Sequence, residues 1–377
     1  MDKKSEKMIK LILYCSGLGY INRGLESFTR ELYETLLGVD NIDISLFQGK
    51  GDVLDGAHSV WAPKRTSNYD KFLPLDLNVD QKHLFEDLIF SFPILFSAYR
   101  MESPIIHFSE DIPAKVLYHL RKRFGGSFHL LFSNGGPRSP KHFMRYDYVQ
   151  VLTPEQKKEA LDYGYPSDRL FMVPYGLNCQ KFNSLSTSVR SDWNLPTDRK
   201  ILLSVGAINT EHKRMHWLIK EFSKLNQSKY FLWLVGQCYG KKTTEVKKLA
   251  ENVLDKDSYR FTTTSYEKMP EVYNSADIFV LCSLREGFGR VYLEAMASKL
   301  PVIAHRTENT EWILGSDNMG LIDMTIKDEL ADKIRSISNK PDLLNELGNE
   351  NSIMVEKKFD WKSLLPDYIQ MYENISK

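Results

Sequence analysis

The sequence predicts an α/β protein of two domains, each built on a parallel sheet with the strands joined by helices. The chain has 377 residues, which is more than one hydrophobic core of ordinary size accommodates. Short apolar runs alternate with segments of helical periodicity along almost the whole length, a pattern typical of βαβ units. A polar, Ser/Thr-rich stretch at 176–200 interrupts this alternation near the middle and is interpreted as an interdomain linker.

Twelve apolar runs are predicted to be strands, six on each side of the linker. In the first half they cover 9–14, 42–47, 105–109, 128–133, 148–153 and 170–174; in the second half they cover 201–206, 230–236, 259–263, 278–283, 301–305 and 320–324. After the last strand, the aromatic-rich segment 359–375 is predicted to be a helix that is broken or kinked near Pro366. Because no strand follows it, this helix must pack on a sheet that is already formed.

Composition and charge exclude several classes of protein. Lys and Arg number 50 against 49 Asp and Glu, so the chain lacks the basic excess with which nucleic-acid-binding proteins neutralise phosphates. The four cysteines lie far apart, without a CxxC pair, and are expected to be reduced thiols in a cytoplasmic protein. The most apolar stretch, 88–99, is too short to span a bilayer and contains Pro93. The apolar run 8–15 fits a first strand better than a signal peptide.

Three glycines follow the first predicted strand. Gly17, Gly19 and Gly24 would let backbone N–H groups approach an anion at the start of the next helix. Their spacing is GxGx₄G rather than GxGxxG, and no acidic residue ends the second strand, so a dinucleotide site is poorly supported. The alternative is that these glycines only form a tight turn.

Basic residues follow the first strand of the second half. Lys213 and Arg214, together with His212, lie where a diphosphate could bind beyond the carboxyl end of a parallel strand. A Lys–Arg pair at a helix start is also commonly just solvated, and the sequence alone leaves both interpretations open.

The strongest local pattern is the strand–loop–helix segment 278–305. A strand runs into the loop Glu286-Gly287-Phe288-Gly289, and Glu294 lies about one turn into the following helix. Glu286 and Glu294 are therefore expected to face one ligand. A carboxylate accepts two hydrogen bonds from a vicinal diol, and free N–H groups at a helix start favour an anion. This combination suits a ligand that carries both sugar hydroxyls and phosphate.

With these motifs in order, the chain resembles a family 4 retaining glycosyltransferase of GT-B architecture. The segment 286–304, EGFGRVYLEAMASKLPVIA, is similar to that family's E-x₇-E motif. The segments 269–283 and 152–182 resemble the stretch preceding the motif and the end of the N-terminal domain. The segment 22–32 resembles the glycine-rich helix entry, with Arg23 where the family commonly has a glycine.

The resemblance implies a particular domain organisation. Two Rossmann-like, doubly wound domains, 1–178 on the acceptor side and 199–354 on the nucleotide-sugar side, would face a central cleft. The segment 355–377 would cross back and pack on the N-terminal domain.

The resemblance also implies roles for residues of the glycine loop. Glu286 would hold donor-sugar hydroxyls near the reacting carbon, and Glu294 would bind the ribose. Gly287, Phe288 and Gly289 would line the sugar and the phosphates.

Further donor contacts implied by the resemblance lie outside that loop. Lys213 and Glu286 are the two catalytic candidates. Lys213 would neutralise the diphosphate leaving group. The backbone at Gly24 would be a second anion contact, and Gly206 is also assigned to the donor site.

The reaction implied is sugar transfer, with retention, from a UDP- or GDP-sugar to a hydroxyl of a glycan, glycolipid or small glycoside. The departing diphosphate gains charge that fixed cations and N–H groups stabilise. The leaving phosphate would accept the acceptor's proton, so no protein nucleophile is assigned. No metal or other cofactor is expected, because enzymes of this family generally need no metal. The oligomeric state is not predicted.

Two departures from the family pattern leave an alternative open. Ala207 occupies a position where the family usually has Arg, and Arg214 is hypothesised to supply that charge. Asn134 occupies a position that often holds His; Asn134 can hydrogen-bond a sugar but cannot take a proton, and the nearby His142 is the other acceptor-side candidate. The alternative is a catalytically silent homologue that binds a nucleotide or a partner protein.

The acceptor half contains an aromatic segment, 84–99, and a basic run, 119–123. Together they could contact a lipid-linked acceptor or an anionic membrane at the inner face of the cell. The alternative is that the first packs in the core and the second is a solvated helix face.

Overall fold

The computed structural model describes residues 8–21, 23–62, 79–136, 138–183, 190–238 and 240–377. The chain divides into two compact units, the first formed by Met1–Gly176 with Leu364–Lys377 and the second by Leu177–Ser363. The first unit is therefore discontinuous in sequence. All four cysteines are free thiols. Among the described helices, none combines the length and the apolar character needed to cross a membrane.

The first unit contains a seven-stranded parallel sheet in the order β3-β2-β1-β4-β5-β6-β7. Its strands are β1 Ile9–Cys15, β2 Ile42–Gly49, β3 His58–Val60, β4 Ile105–Phe108, β5 His129–Ser133, β6 Tyr148–Val151 and β7 Leu170–Met172. Six of these strands were predicted. The edge strand β3 was not, because it is only three residues long and only Val60 of the three is buried.

Four helices connect these strands: α1 Gly24–Leu36, α2 Val79–Arg100, α3 Asp111–Phe124 and α4 Pro154–Asp162. Thr153 caps α4 by accepting a hydrogen bond from the backbone N–H of Gln156, and Pro154 occupies the first helical position, where a missing N–H costs nothing. The buried faces of the strands and of α2, α3 and α4 share one hydrophobic core, which includes Ile12, Phe90 and Leu117.

Helix α13 (Trp361–Ser376) returns to the first unit. His107 on β4 is hydrogen-bonded to the hydroxyl of Tyr372, with Nδ1 and the oxygen 2.8 Å apart. Gln150 on β6 donates to the hydroxyl of Tyr368, which in turn donates to the carbonyl of Pro174. The helix was expected to break near Pro366, but the interruption lies at Asp360, between α12 and α13, and Pro366 lies inside α13.

The second unit contains a six-stranded parallel sheet in the order β10-β9-β8-β11-β12-β13. Its strands are β8 Lys200–Val205, β9 Tyr230–Val235, β10 Tyr259–Thr262, β11 Ile278–Leu281, β12 Val302–His305 and β13 Leu321–Ile322. All six were predicted. Its helices are α5 Cys179–Asn183, α6 Met215–Phe222, α7 Gly240–Val253, α8 Met269–Asn274, α9 Arg290–Ala297, α10 Glu308–Leu314, α11 Glu329–Ser338 and α12 Pro341–Phe359.

The described part of the predicted linker contains helix α5, and from Leu177 onward the chain belongs to the second unit. Cys179 and Phe182, three residues apart, are both buried, and Asn274 of α8 donates to the carbonyl of Phe182 over 2.8 Å. This difference from the sequence interpretation arises because a five-residue helix is too short to show periodicity.

Both sheets have the doubly wound topology, in which the strand order reverses once. In the first sheet the chain winds outward in both directions from the neighbours β1 and β4, and in the second from β8 and β11. Ligands of open α/β sheets bind beyond the carboxyl ends of the strands at such a switch point. The two loops that follow β8 and β11 are therefore where a ligand of the second unit is expected.

Candidate active site at the switch point of the second unit

An ion pair joins the loops that follow the two switch-point strands. The Nζ of Lys213, after β8, lies 2.7 Å from Oε1 of Glu286, after β11. The side chains of Lys213 and Glu286 are only 14% and 7% exposed. His212 lies on the same side, with Nε2 3.8 Å from Oε2 of Glu286 and 3.1 Å from the carbonyl oxygen of Arg285. The structure thus brings together the two residues predicted to be catalytic.

Glycine at position 206 makes room for the lysine. Gly206 has φ +149°, and a Cβ placed there would lie 2.9 Å from Cε of Lys213. The adjacent Gly236, after β9, is equally constrained, since its Cβ would lie 1.7 Å from the carbonyl oxygen of Gly206. The Oδ1 of Asn209 accepts a hydrogen bond from the backbone N–H of Lys213 over 3.2 Å. Gly206, assigned to the donor site, thus shapes the path of the lysine side chain.

Arg214 contacts the backbone of two neighbouring segments, and its role toward the donor stays a prediction. Its guanidinium donates to the carbonyl oxygens of Cys282 and Met324, at 3.3 and 3.1 Å. Its backbone is left-handed, with φ 46°, and it immediately precedes α6. Arg214 therefore ties together the segments after β11 and β13, which is a structural role whether or not it also contacts a ligand.

The glycine loop leads directly into α9. Gly289 has φ 85° and precedes the first helical residue, Arg290, without any side chain capping the helix start. The N–H groups at a helix start carry partial positive charge, and that of Tyr292 donates to the carbonyl oxygen of Gly289. The ring of Phe288 is 2% exposed and packs edge-on against Phe359, with centroids 5.9 Å apart. A ligand in the predicted donor site can therefore contact the backbone of Phe288 but not its ring.

The second glutamate of the motif is buried in α9. Glu294 is 5% exposed, and its Oε2 accepts a hydrogen bond of 2.7 Å from the hydroxyl of Tyr273 on α8. Burial, followed by the charge of Glu294 and that hydrogen bond, raises the pKa of Tyr273 well above its usual range. Tyr273 therefore stays protonated and orients the carboxylate. Nothing in the sequence marked Tyr273 apart from its position in the segment preceding the motif.

Sequence reasoning also missed three polar side chains around this loop. Ser283, Tyr292 and Asn309 are buried, and Ser283 Oγ, Tyr292 Oη and Asn309 Oδ1 have no hydrogen-bond partner among the described residues. Burial and then the charge of Glu286 raise the pKa of Tyr292. Buried polar atoms are normally hydrogen-bonded, so such a cluster is typical of a site that awaits a ligand or water. Ser283 could have been noticed, since it is the last residue of the predicted strand 278–283.

The remaining predicted residues lie in the first unit. Asn134, at the end of β5, is 2% exposed; its Nδ2 lies 3.4 Å from the carbonyl oxygen of Arg138, and its Oδ1 is without a partner among the described residues. His142 ends a short 3₁₀ helix and is exposed. Gly24 begins α1, next to Arg23, whose guanidinium pairs with Glu26. Their roles toward an acceptor or a donor stay predictions.

One group in the first unit has the donor set of a metal site. His83, Asp87 and Glu110 bring their ligand atoms within 4.8 Å of one another. The carboxylate of Glu110 already accepts hydrogen bonds from the backbone N–H and the hydroxyl of Ser16, at 2.6 and 2.7 Å. Because Ser16 follows β1 and Glu110 follows β4, this contact bridges the switch point of the first sheet. It is a hydrogen-bonded cluster that fixes the loop after β1.

The chain is similar to known glycosyltransferases. Residues 186–353, most of the second unit, match the family model "Glycosyl transferases group 1". The predicted resemblance to a GT-B glycosyltransferase is confirmed. The lipopolysaccharide core biosynthesis glycosyltransferase LpsE of Rhizobium meliloti is 23% identical over 253 residues, which cover 67% of this chain and 72% of that protein. The chain spans about half the length of two further curated relatives, 55% and 53%.

Solved structures confirm the glycosyltransferase fold. The sucrose-phosphate synthase of Thermosynechococcus elongatus aligns with a TM-score of 0.80 and 21% identity, over 98% of this chain and 99% of that one. The Anabaena protein HepE, solved in complex with UDP-glucose, aligns with a TM-score of 0.74 and 13% identity, over 98% and 99%. At these identities the likeness shows the shared fold, two Rossmann-like domains of GT-B type.

Proposed function

We propose that this glycosyltransferase moves a sugar, with retention of configuration, from a nucleoside-diphosphate sugar (UDP- or GDP-linked) to a hydroxyl acceptor. The observation that carries the proposal is the Lys213–Glu286 pair, held at 2.7 Å between the loops after β8 and β11. A cation, a carboxylate and an uncapped helix start lie together at the switch point. The complex of HepE with UDP-glucose supports the donor class, because that fold neighbour binds such a molecule.

The donor would replace the ion pair with two new interactions. The diphosphate would take the ammonium of Lys213 and the N–H groups at the start of α9, where charge develops as the sugar–phosphate bond breaks. The carboxylate of Glu286 would then accept hydrogen bonds from the hydroxyls of the sugar. Glu294, oriented by Tyr273, would accept from the ribose. The negative charge that the diphosphate brings would be compensated by Lys213 and the N–H groups at the start of α9, while Glu286 would keep hydrogen-bond donors.

The chemical step would proceed on one face of the sugar. The bond from the anomeric carbon to the phosphate oxygen breaks, the bond to the acceptor oxygen forms, and the acceptor proton passes to the departing phosphate. The chain's own contribution is electrostatic: Lys213 and the helix start stabilise the charge on the leaving group. The reaction is proposed to need no metal and no resident cofactor.

The test is donor turnover by the full chain. UDP-glucose, UDP-galactose, UDP-N-acetylglucosamine and GDP-mannose would each be incubated with a panel of glycosides, and release of the nucleoside diphosphate measured with and without EDTA. NMR of the product would give the anomeric configuration. We expect turnover with one donor, retained configuration, no effect of EDTA, and loss of turnover in Glu286→Ala. Full activity of Glu286→Ala would refute the site, and an inverted product would refute the retaining mechanism.

Two controls separate the outcomes. Glu346→Gln removes an exposed carboxylate of α12 in the same unit and should leave turnover unchanged. Thermal shift with UDP and with GDP measures binding without turnover, since a ligand of the native state raises its apparent stability. Binding without turnover of any donor would instead identify a nucleotide-binding subunit. Arg214→Ala should weaken this binding severely if Arg214 supplies the charge absent at Ala207, and unchanged affinity would reject that hypothesis.

A further inference from the structure

Helix α2 carries apolar side chains on two opposite faces. Phe90, Ile94 and Ala98 are 0–1% exposed and belong to the core of the first unit. The opposite face carries six large apolar side chains that are 37–68% exposed: Leu84, Phe85, Leu88, Phe92, Phe96 and Tyr99. At about 100° and 1.5 Å per residue, these six positions cover an arc of about 120° and a length of about 22 Å. We call them the α2 stripe.

The α2 stripe continues onto the end of α3. The hydroxyl of Tyr99 donates to the carbonyl of Gly125, the residue that follows α3. Phe124, the last residue of α3, is 72% exposed, the highest exposure among the large apolar residues of the described chain. The aromatic surface therefore extends across two neighbouring helices, and contiguous apolar surface of this kind marks a site of interaction.

Exposed basic side chains lie at the C-terminal end of the stripe. On α2, Glu86 and Asp87 are each 1% exposed, so these carboxylates face the protein interior. Arg100, at the end of α2, is exposed and places its guanidinium carbon 3.9 Å from the ring centroid of Phe96. Helix α2 thus exposes aromatic rings and the cation Arg100 to solvent, whereas Glu86 and Asp87 are buried.

Helix α3 adds two more cations at the same end. Lys122 and Arg123 are exposed, and Arg123 lies 5.5 Å from the ring centroid of Phe124. Within the part of the chain that the structure describes, no carboxylate lies within 4.0 Å of Arg100, Lys122 or Arg123. The exposed acid nearest in sequence is Glu102.

We propose that the α2 stripe, with Arg100, Lys122, Arg123 and Phe124, docks the first unit on the surface of an anionic lipid bilayer. A helix that lies in the membrane interface inserts its aromatic and aliphatic side chains among the acyl chains and keeps basic residues at the headgroups. Aromatic rings favour this level of the bilayer, and anionic headgroups attract juxtamembrane Lys and Arg. The predicted core packing of the segment 84–99 is correct only for the inner face of α2.

The sign of the charge favours lipid over a second copy of the chain. A symmetric dimer through this face would add three more cations to the interface and supply no counter-charge from this patch, whereas an anionic surface does supply it. The negative potential of the bilayer supplies the missing counter-charge across the whole patch.

Co-sedimentation of the full chain with vesicles tests the proposal. One set contains phosphatidylglycerol and phosphatidylcholine in equal amounts, and the other contains phosphatidylcholine alone. We expect pelleting with the anionic vesicles, weaker pelleting with the neutral ones, and weakening of the anionic interaction at high salt. Phe92→Ser with Phe96→Ser should reduce binding at least tenfold. Lys122→Gln with Arg123→Gln should reduce it about 25-fold, since each basic residue near an anionic surface contributes about fivefold.

Matched controls lie in the second unit. Ile353, on α12, is 68% exposed like Phe92, and Ile353→Ser should leave vesicle binding unchanged. Lys220 and Lys248 are exposed on α6 and α7, and their double change to Gln removes the same charge as the α3 pair. Circular dichroism and thermal unfolding establish that each variant is folded. Absence of pelleting by the wild type, or undiminished pelleting of the folded Phe92→Ser, Phe96→Ser variant, overturns the proposal. The proposal is also overturned if the wild type is a dimer, the Phe92→Ser, Phe96→Ser variant is a monomer, and neither protein binds vesicles.

Discussion

Lys213 and Glu286, 73 residues apart in sequence, form a largely buried ion pair. The pair joins the loops that follow β8 and β11, the two strands at which the strand order of the second sheet reverses. Each partner compensates the charge of the other while no ligand is bound. Removing one partner of such a pair leaves an uncompensated charge in a poorly solvated place. The pair therefore sets both the stability of this edge of the sheet and the charges that a ligand meets.

The first prediction concerns this pair. Lys213→Met keeps much of the apolar stem of the side chain but removes the charge, and it should lower the turnover of the donor by about 100-fold or more, because loss of one fixed stabilising charge or donor costs that much. Glu286→Gln should lower turnover as well, and both variants should unfold at lower temperature. Steady-state release of the nucleoside diphosphate gives the first result and calorimetry the second. Lys220→Met, on the exposed surface of α6, is the control; equal turnover in Lys213→Met and Lys220→Met would contradict the assigned role.

The second prediction concerns the glycine beneath the lysine. Gly206→Ala puts a Cβ 2.9 Å from Cε of Lys213 at a φ of +149°. Such a conformation costs about 1–3 kcal/mol for a non-glycine residue, so the variant should be destabilised by this amount and should also lose turnover as the lysine is displaced. Gly38→Ala is the control, because a Cβ at Gly38 meets nothing within 4 Å. Chemical denaturation compares the two, and equal stability would show that the backbone adapts without strain.

A third prediction concerns the support of Glu294. Tyr273→Phe removes the hydroxyl that donates to Oε2 of Glu294 and leaves a buried carboxylate with one fewer donor. The expected loss is about 1–3 kcal/mol of stability, the cost of leaving a buried acceptor short of a hydrogen bond. Affinity for UDP or GDP, measured by calorimetric titration, should fall as the carboxylate loses its orientation. Tyr163→Phe, at a tyrosine that is 52% exposed, should change neither quantity. Unchanged nucleotide affinity in a destabilised Tyr273→Phe would limit Tyr273 to a structural role.

A fourth prediction is a pH dependence of the first unit. Burial lowers the pKa of His107 from 6.5 to about 4, although the hydrogen bond with Gln150 acts in the other direction. Between these two values the unfolded chain binds a proton that the folded chain does not. The contribution of a neutral His107 to stability is therefore complete above pH 6.5 and is lost as the pH falls toward 4. The loss is on the order of 3 kcal/mol, since one pKa unit corresponds to about 1.4 kcal/mol.

His107→Gln tests this dependence, because Gln can still form hydrogen bonds but does not titrate. Urea denaturation at pH 7.5 and pH 4.5 should show a smaller difference in the free energy of unfolding in this variant than in the wild type. His142→Gln, at an exposed histidine, is the comparison. An identical pH dependence in wild type and His107→Gln would mean that other groups cause the acid sensitivity.

The sheets were predictable because their strands are long apolar runs bounded by turns. The edge strand β3 was not, since a three-residue strand with one buried side chain carries no pattern. The pairing of Lys213 with Glu286 was only partly predictable. Each residue could be placed after its strand, but their contact depends on β8 and β11 being neighbours in the sheet, which is a property of topology. Likewise, the orientation of Arg214 toward two carbonyls depends on its left-handed backbone. No neighbouring glycine or asparagine indicates that conformation in the sequence. The buried position of Glu294 against Tyr273 also required the packing of α8 on α9.

The return of α13 to the first unit bears on how the chain folds during synthesis. Domains generally fold as they emerge from the ribosome, the N-terminal one first. Here the sheet of the first unit presents His107 and Gln150 to Tyr372 and Tyr368, which are translated only after the whole second unit. Until then, those two side chains can keep the hydrogen bond with each other but lack the two tyrosine hydroxyls. The second unit is contiguous and can complete its fold earlier. The half of the protein that is synthesised first is therefore expected to reach its native structure last. A nascent first unit would be the part that most needs a chaperone.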